Sequence, residues 1–217
     1  MIIVMKEKTA AEFEFLFERC PALKPIKDDI RNAYQAIEDT YKNGGKLLCA
    51  GNGGSCADSE HIVGELMKSF KVKRKIDGRL SENLCSAGQD GEYIASCLEG
   101  SLCAIALTSH PALSTAFSND VDPHIVFAQQ VSGFGKPGDT LLVISTSGNS
   151  KSCCYAAVTA KALGMKVIAM TGEGGGKLKT IADVTIAVPQ NQTYLIQELH
   201  LPVYHALCAM LELEFFC

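Results

Sequence analysis

Apolar positions along this chain repeat first with a helical period and then as short continuous runs. In residues 9–20, Phe13, Leu16 and Phe17 share one helical face, and Pro21 ends the stretch. Residues 26–42 place Ile30, Tyr34, Ile37 and Tyr41 at i, i+3/i+4 and i+7 spacing, with Gly44-Gly45 as the stop. Two opening helices are therefore predicted within residues 1–45. Their apolar faces need a core or another subunit to cover them.

Beyond residue 45 the pattern changes. Lys46–Gly51, Leu102–Leu107, Asp139–Ser145, Lys166–Thr171 and Asp183–Val188 are compact apolar runs of strand length. Helical stretches fall between and after them at about 56–69, 151–163 and 193–214. Strands that are apolar throughout and alternate with helices belong to a parallel sheet covered on both faces. The expectation is one α/β domain spanning 1–217, with a five-stranded parallel sheet of Rossmann or flavodoxin type. Residues 71–101 break this rhythm. They open with the basic run Lys71-Val72-Lys73-Arg74-Lys75, carry Gly78, Gly88, Gly91 and Gly100, and hold a helical turn or two at 92–98. The segment reads as an insertion, a loop or lid, and its basic run as a solvated face.

Composition narrows the function. The chain has 217 residues, long enough to bury roughly 70% of its unfolded surface without disulfides. Its formal net charge of −4 disfavours direct nucleic-acid binding. The 10 cysteines are scattered with no recurring CxxC pair, which argues against a zinc ribbon and for a reducing, cytoplasmic compartment. The opening Met1–Glu7 stretch is too short for a signal-peptide core, and no apolar run approaches the ~20 residues that span a bilayer.

Chemistry concentrates where strands pass into helices, the usual ligand position in such sheets. Ser145-Thr146-Ser147-Gly148-Asn149-Ser150 offers four hydroxyls and an amide ahead of a helix. One serine would suffice as a cap. The full set, with free N–H groups at the helix start, suits a phosphate dianion. Gly51-Asn52-Gly53-Gly54-Ser55 imitates a dinucleotide loop but has Cys56 in the sixth position and no acidic residue after a second strand, so no nicotinamide or flavin is expected. Walker and nucleophile-elbow patterns also fail, at Leu178 and Ser145. His61 and Glu65 share a helical face at i, i+4. Gln197, Leu201 and His205 step by four along the last helix, which Pro202 should kink. A Glu–His pair facing another His is suited to proton shuttling, and the same residues could hold a metal.

These residues together resemble one family. Gly51–Ser55, Asp58, His61 and Glu65, Ser118-Asn119-Asp120, Ile144–Ser150, Gly164–Ile168 and Ile196–His200 with His205 are similar to the phosphoheptose isomerases, the branch of the sugar-isomerase (SIS) domains acting on sedoheptulose 7-phosphate. The resemblance covers about residues 26–214 outside the insertion. It implies a homotetramer that isomerises a sugar phosphate through an enediol, with Glu65 and His205 as the acid/base pair. Asn52, Gly53, Gly54, Ser55, Asn119, Asp120, Ser145, Thr146, Ser147, Ser150 and Gln197 would hold the substrate. Some members bind zinc, one ion per subunit, through positions matching His61, Glu65, Gln197 and His205. Other close relatives are non-catalytic sugar-phosphate sensors or adaptors for a replication initiator, and that role would not require Glu65 and His205. The chain departs from the family where Lys68-Ser69 replaces Gly-Arg, where Leu195 replaces Arg, and in the length of 71–101.

Overall fold

The structure, a computed structural model, describes residues 5–217; Met1–Val4 of the opening stretch lie outside the described residues. In chain order the elements are α1 (Glu7–Arg19), a 3₁₀ segment (Pro21–Ile26), α2 (Lys27–Lys42), β1 (Leu47–Gly51), α3 (Gly54–Met67), α4 (Gly78–Cys85), α5 (Gln89–Cys97), β2 (Ala104–Ala106), α6 (Pro111–Asp120), a 3₁₀ turn (Pro123–Ile125), α7 (Val126–Phe134), β3 (Thr140–Ile144), α8 (Lys151–Ala162), β4 (Lys166–Gly172), α9 (Leu178–Ile181), β5 (Val184–Val188) and α10 (Thr193–Phe216). The five strands form one sheet in the order β2-β1-β3-β4-β5, and every pair is parallel.

Alternation along each strand explains why the runs are apolar throughout. Leu47, Cys49, Leu142, Ile144, Ile168 and Met170 point to one face, against α1, α2, α3 and α10. Leu48, Ala50, Leu141, Val143, Val167 and Ala169 point to the other, against α7, α8 and α9. Each fully buried aliphatic side chain contributes roughly 1.5–3 kcal/mol relative to exposure. The two opening helices cover their own sheet: Phe13, Leu16, Phe17, Ile30, Tyr34 and Ile37 are all buried in the first of these cores.

The strand order also locates the ligand crevice. β1 lies between β2 and β3, so the order reverses beside it. β1 and β3 end level with each other, Gly51 opposite Ile144. From there α3 crosses to one face and α8 to the other, as the burial of Ile62 and Leu66 against that of Cys153 and Ala156 shows. Two chains leaving adjacent strands toward opposite faces open a gap between their first turns.

The 71–101 segment departs from its sequence reading. It contains two helices, α4 and α5, packed on each other. The basic run is not uniformly solvated. Arg74 is fully buried with Glu212 of α10, Nε to Oε1 at 2.7 Å. Its guanidinium also donates to the Leu66 and Glu65 carbonyls at 2.7 and 2.8 Å, filling acceptors that the end of α3 leaves open. Glu212 further accepts the backbone N–H groups of Phe70, Lys71 and Val72. A buried guanidinium is tolerable here because its partners are fixed and complementary. Helix α10 runs unbroken through Pro202, so the predicted kink does not interrupt it. Among the described residues no helix is long and apolar enough to cross a membrane.

Candidate active site

Three helix starts meet at the crevice: those of α3, α8 and α10. None has a side-chain cap. The first-turn N–H groups of α8 and α10 therefore stay available, whereas in α3 those of Ser55 and Cys56 donate to the Asn52 and Gly53 carbonyls; each start carries a partial positive charge of roughly half a unit. Between them lies a cavity of about 330 Å³ lined by Asn52, Gly53, Gly54, Ser55, Ile144, Ser145, Thr146, Ser147, Ser150, Thr193 and Gln197. No lining side chain is charged. The serine run thus does not serve as a cap. Ser150 Oγ instead pairs with Ser152 Oγ at 3.1 Å and accepts from Asn52 Nδ2 at 3.0 Å. That contact links the loop after β1 to the loop after β3.

Glycine permits two close approaches. A Cβ on Gly54 would meet the Gln197 amide nitrogen at 2.4 Å. Gly148 has φ +64 and packs on the Gly175 carbonyl, where a side chain would lie 2.0 Å away. The β4–α9 loop braces the serine loop from behind, through Lys177 N–H to Asn149 Oδ1 at 3.0 Å and Leu178 N–H to the Gly148 carbonyl at 3.0 Å. Asn119 and Asp120 stand apart. They occupy the last turn of α6, exposed and hydrogen-bonded to each other at 2.9 Å, and do not line this cavity. Their neighbour Ser118 lines a second hollow of about 290 Å³ that shares Asn52 and Gly53 with the first.

Farther along the same two helices sits a titratable cluster. Ten residues of α3 separate Ser55 from Glu65, about 15 Å of rise, and eight residues of α10 separate Gln197 from His205, about 12 Å. His61 Nε2 lies 3.1 Å from Glu65 Oε1, and its ring packs edge-on to His205 with centroids 5.0 Å apart. The α3–α10 packing therefore brings His61, Glu65 and His205 together, while Gln197 remains with the polar cavity. Burial first, then the neighbouring His61, pushes the His205 imidazole below its ordinary pKa, and its Nε2 is buried without a partner.

Sequence reasoning assigned no role to three members of this cluster. Tyr204 Oη donates to Asp58 Oδ1 at 3.2 Å and meets His61 Nδ1 at 3.0 Å. Asp58 is pushed above the usual carboxylate range by burial, and its Oδ2 has no partner. Lys68 Nζ reaches Glu65 Oε2 at 3.1 Å, so a cation stands here although the family's Gly-Arg is absent. Asp58 at three residues before His61 and Tyr204 beside His205 were the available signals. His200 is a structural histidine: buried, 3.2 Å from the Thr171 carbonyl, and lowered to about 4 by burial.

Of the residues proposed for zinc, His61 and Glu65 are bonded to each other, Gln197 lies in the polar cavity, and His205 Nε2 has no partner. His61 spends one ring nitrogen on Glu65 and the other on Tyr204. Among the described residues no three His, Cys, Asp or Glu side chains converge as a ligand set. In this arrangement they do not fit a metal ion, and no step below passes through one.

A doubly wound sheet with a hydroxyl-lined, uncharged crevice at its switch point defines an α/β domain of the SIS class, and the family model of the SIS domain matches residues 97–172. The phosphoheptose isomerase of Akkermansia muciniphila is 36% identical over 195 residues, 90% of each chain. Solved phosphoheptose isomerases from Neisseria gonorrhoeae (32% identity, TM-score 0.72, 95% of this chain and 98% of that one) and Francisella tularensis (31%, 0.74, 95% and 97%) share the fold. The chain belongs to the phosphoheptose isomerase family.

Proposed function

We propose that this protein interconverts sedoheptulose 7-phosphate and a heptose 7-phosphate through an enediol. The observation that carries the reading is the joint framing by α3 and α10, which present neutral anion donors at one end and a Glu–His–His cluster farther along. The phosphate would rest among the helix starts and hydroxyls, with Asn52, Ser55, Ser145, Thr146, Ser147, Ser150 and Gln197 as donors and Gly53 and Gly54 admitting the backbone. Asn119 and Asp120 are proposed substrate contacts on the strength of the family motif.

Glu65 is the proposed carbon base. It takes the proton from the hydroxyl-bearing carbon beside the carbonyl, and the C–H electron pair becomes the enediol double bond while His205 protonates the carbonyl oxygen. His205 then removes the proton from the other enediol oxygen, and Glu65 returns its proton to the adjacent carbon. No net proton is consumed. Each acid–base role is typically worth ~100- to 10,000-fold in rate.

A homotetramer and a cytoplasmic location belong to this proposal; the ten free cysteines support a reducing compartment. Zinc loading is a separate proposal, checked by elemental analysis, and it requires His61 to release Glu65 or Tyr204. The sensor and adaptor roles have no observation in their favour. A proton NMR time course on a panel of ketose phosphates tests the reading: sedoheptulose 7-phosphate should give new anomeric signals, and a panel left unchanged would end it.

A further inference from the structure

We infer that Tyr204 is a positioning residue, its hydroxyl anchored on Asp58 so that the His61 ring is held with Nε2 turned to Glu65. The inference rests on the isomerase reading for its catalytic meaning and on geometry for the contact itself. Tyr204 is 1% exposed and lies on α10, whereas both of its polar partners lie on α3. Its oxygen stands 3.2 Å from Asp58 Oδ1 and 3.0 Å from His61 Nδ1.

A phenol has one proton to give. Donated to Asp58, it leaves the phenol oxygen facing His61 Nδ1, and that contact ties the Nδ1 edge of the ring to α10. The ring is then fixed in sense, and Nε2 is the nitrogen at 3.1 Å from Glu65 Oε1. Without the hydroxyl only the Glu65 contact distinguishes the two ring edges, and a flip would turn a carbon toward Glu65. The Tyr204 ring also packs edge-on to both imidazoles, 5.5 Å from His61 and 5.0 Å from His205. One side chain thus touches both histidines of the cluster, and its polar atom serves only the one that contacts Glu65. Outer partners of this kind that orient a histidine typically change activity about 10- to 100-fold when removed.

Tyr204→Phe keeps the ring packing and deletes only the hydroxyl. In the full-length protein, kcat with sedoheptulose 7-phosphate should fall about 10- to 100-fold. KM should stay within about threefold, because a lost positioning contact lowers kcat without removing ground-state binding. Asp58→Asn should lower kcat in the same direction, and the double variant should fall no further than the worse single one, since residues of one network are not additive. Nitrogen-15 spectra of histidine-labelled protein, with His61 assigned by its Gln variant, should show the His61 Nδ1 resonance displaced in Tyr204→Phe, because that nitrogen loses its hydroxyl partner. Wild-type kcat in Tyr204→Phe, an unchanged His61 spectrum, additive losses, or a KM rise matching the kcat loss would each overturn the inference. A wild-type protein inactive on every sugar phosphate would sink the isomerase reading instead, and the His61 spectrum alone would then decide whether Tyr204 holds the ring.

Discussion

The two ends of the crevice are built from different materials. The cavity at the strand ends has no charged side chain and draws its donors from helix starts, hydroxyls and amides. The cluster farther along α3 and α10 is made of titratable groups in mutual contact: Asp58, His61, Glu65, Lys68 and His205, tied together by Tyr204. On the proposed function, the difference reflects what each end would do. An anion is held well by neutral donors whose positions the backbone fixes, because they do not titrate and need not reorganise. Proton transfer needs groups that gain and lose protons. On the proposed function, binding and chemistry fall on separate surfaces, and substitutions should separate them too.

The largest effect should come from the reactive end. His205→Ala should lower kcat about 100- to 10,000-fold by steady-state assay, with KM nearly unchanged. A variant that loses affinity instead would break the division. Next comes the clamp behind that end. Arg74→Met leaves Glu212 buried without its cation, which typically costs about 3–5 kcal/mol. Urea unfolding should show a loss of that order, and a change under about 1 kcal/mol would mean that the backbone N–H groups around Glu212 suffice alone.

The smallest expected effect lies outside both ends. His200 is held neutral, its pKa lowered to about 4 from an ordinary 6.5. Its folded pKa lies below its unfolded one, so its contribution is full above pH 6.5 and is lost as pH falls toward 4. Between pH 7 and pH 5 this removes about 2 kcal/mol of stability. Urea midpoints at the two pH values should show that loss in the wild type and a correspondingly smaller one in His200→Leu. Equal pH sensitivity in both proteins would refute the assignment.

The readable parts of the fold are those with a core-facing stripe. β1, β3, β4, β5, the two opening helices and α10 all announce themselves through buried apolar positions. Helices α4 and α6 do not: neither buries a single residue, α6 has no clear apolar stripe, and α4 is too short for its Leu80–Leu84 spacing to stand out. The same distinction holds at the site. The Asn52–Ser55 and Ser145–Ser150 loops are local strand-to-helix turns whose chemistry lies in consecutive residues. Tyr204 and Arg74 acquire meaning only when α10 packs against α3 and the segment after it, and that packing joins positions more than a hundred residues apart. Arg74 misleads most, since its charged neighbours suggest water while Glu212 draws it inside.

Glu65→Gln beside Asn52→Ala tests the division of labour most directly, with calorimetric binding of sedoheptulose 7-phosphate and turnover measured on both. Glu65→Gln should bind like the wild type and turn over at least about 100-fold more slowly, while Asn52→Ala should lose about 10-fold or more in affinity and keep most of its kcat. Near wild-type turnover in Glu65→Gln, or the two losses exchanged between the variants, would contradict it.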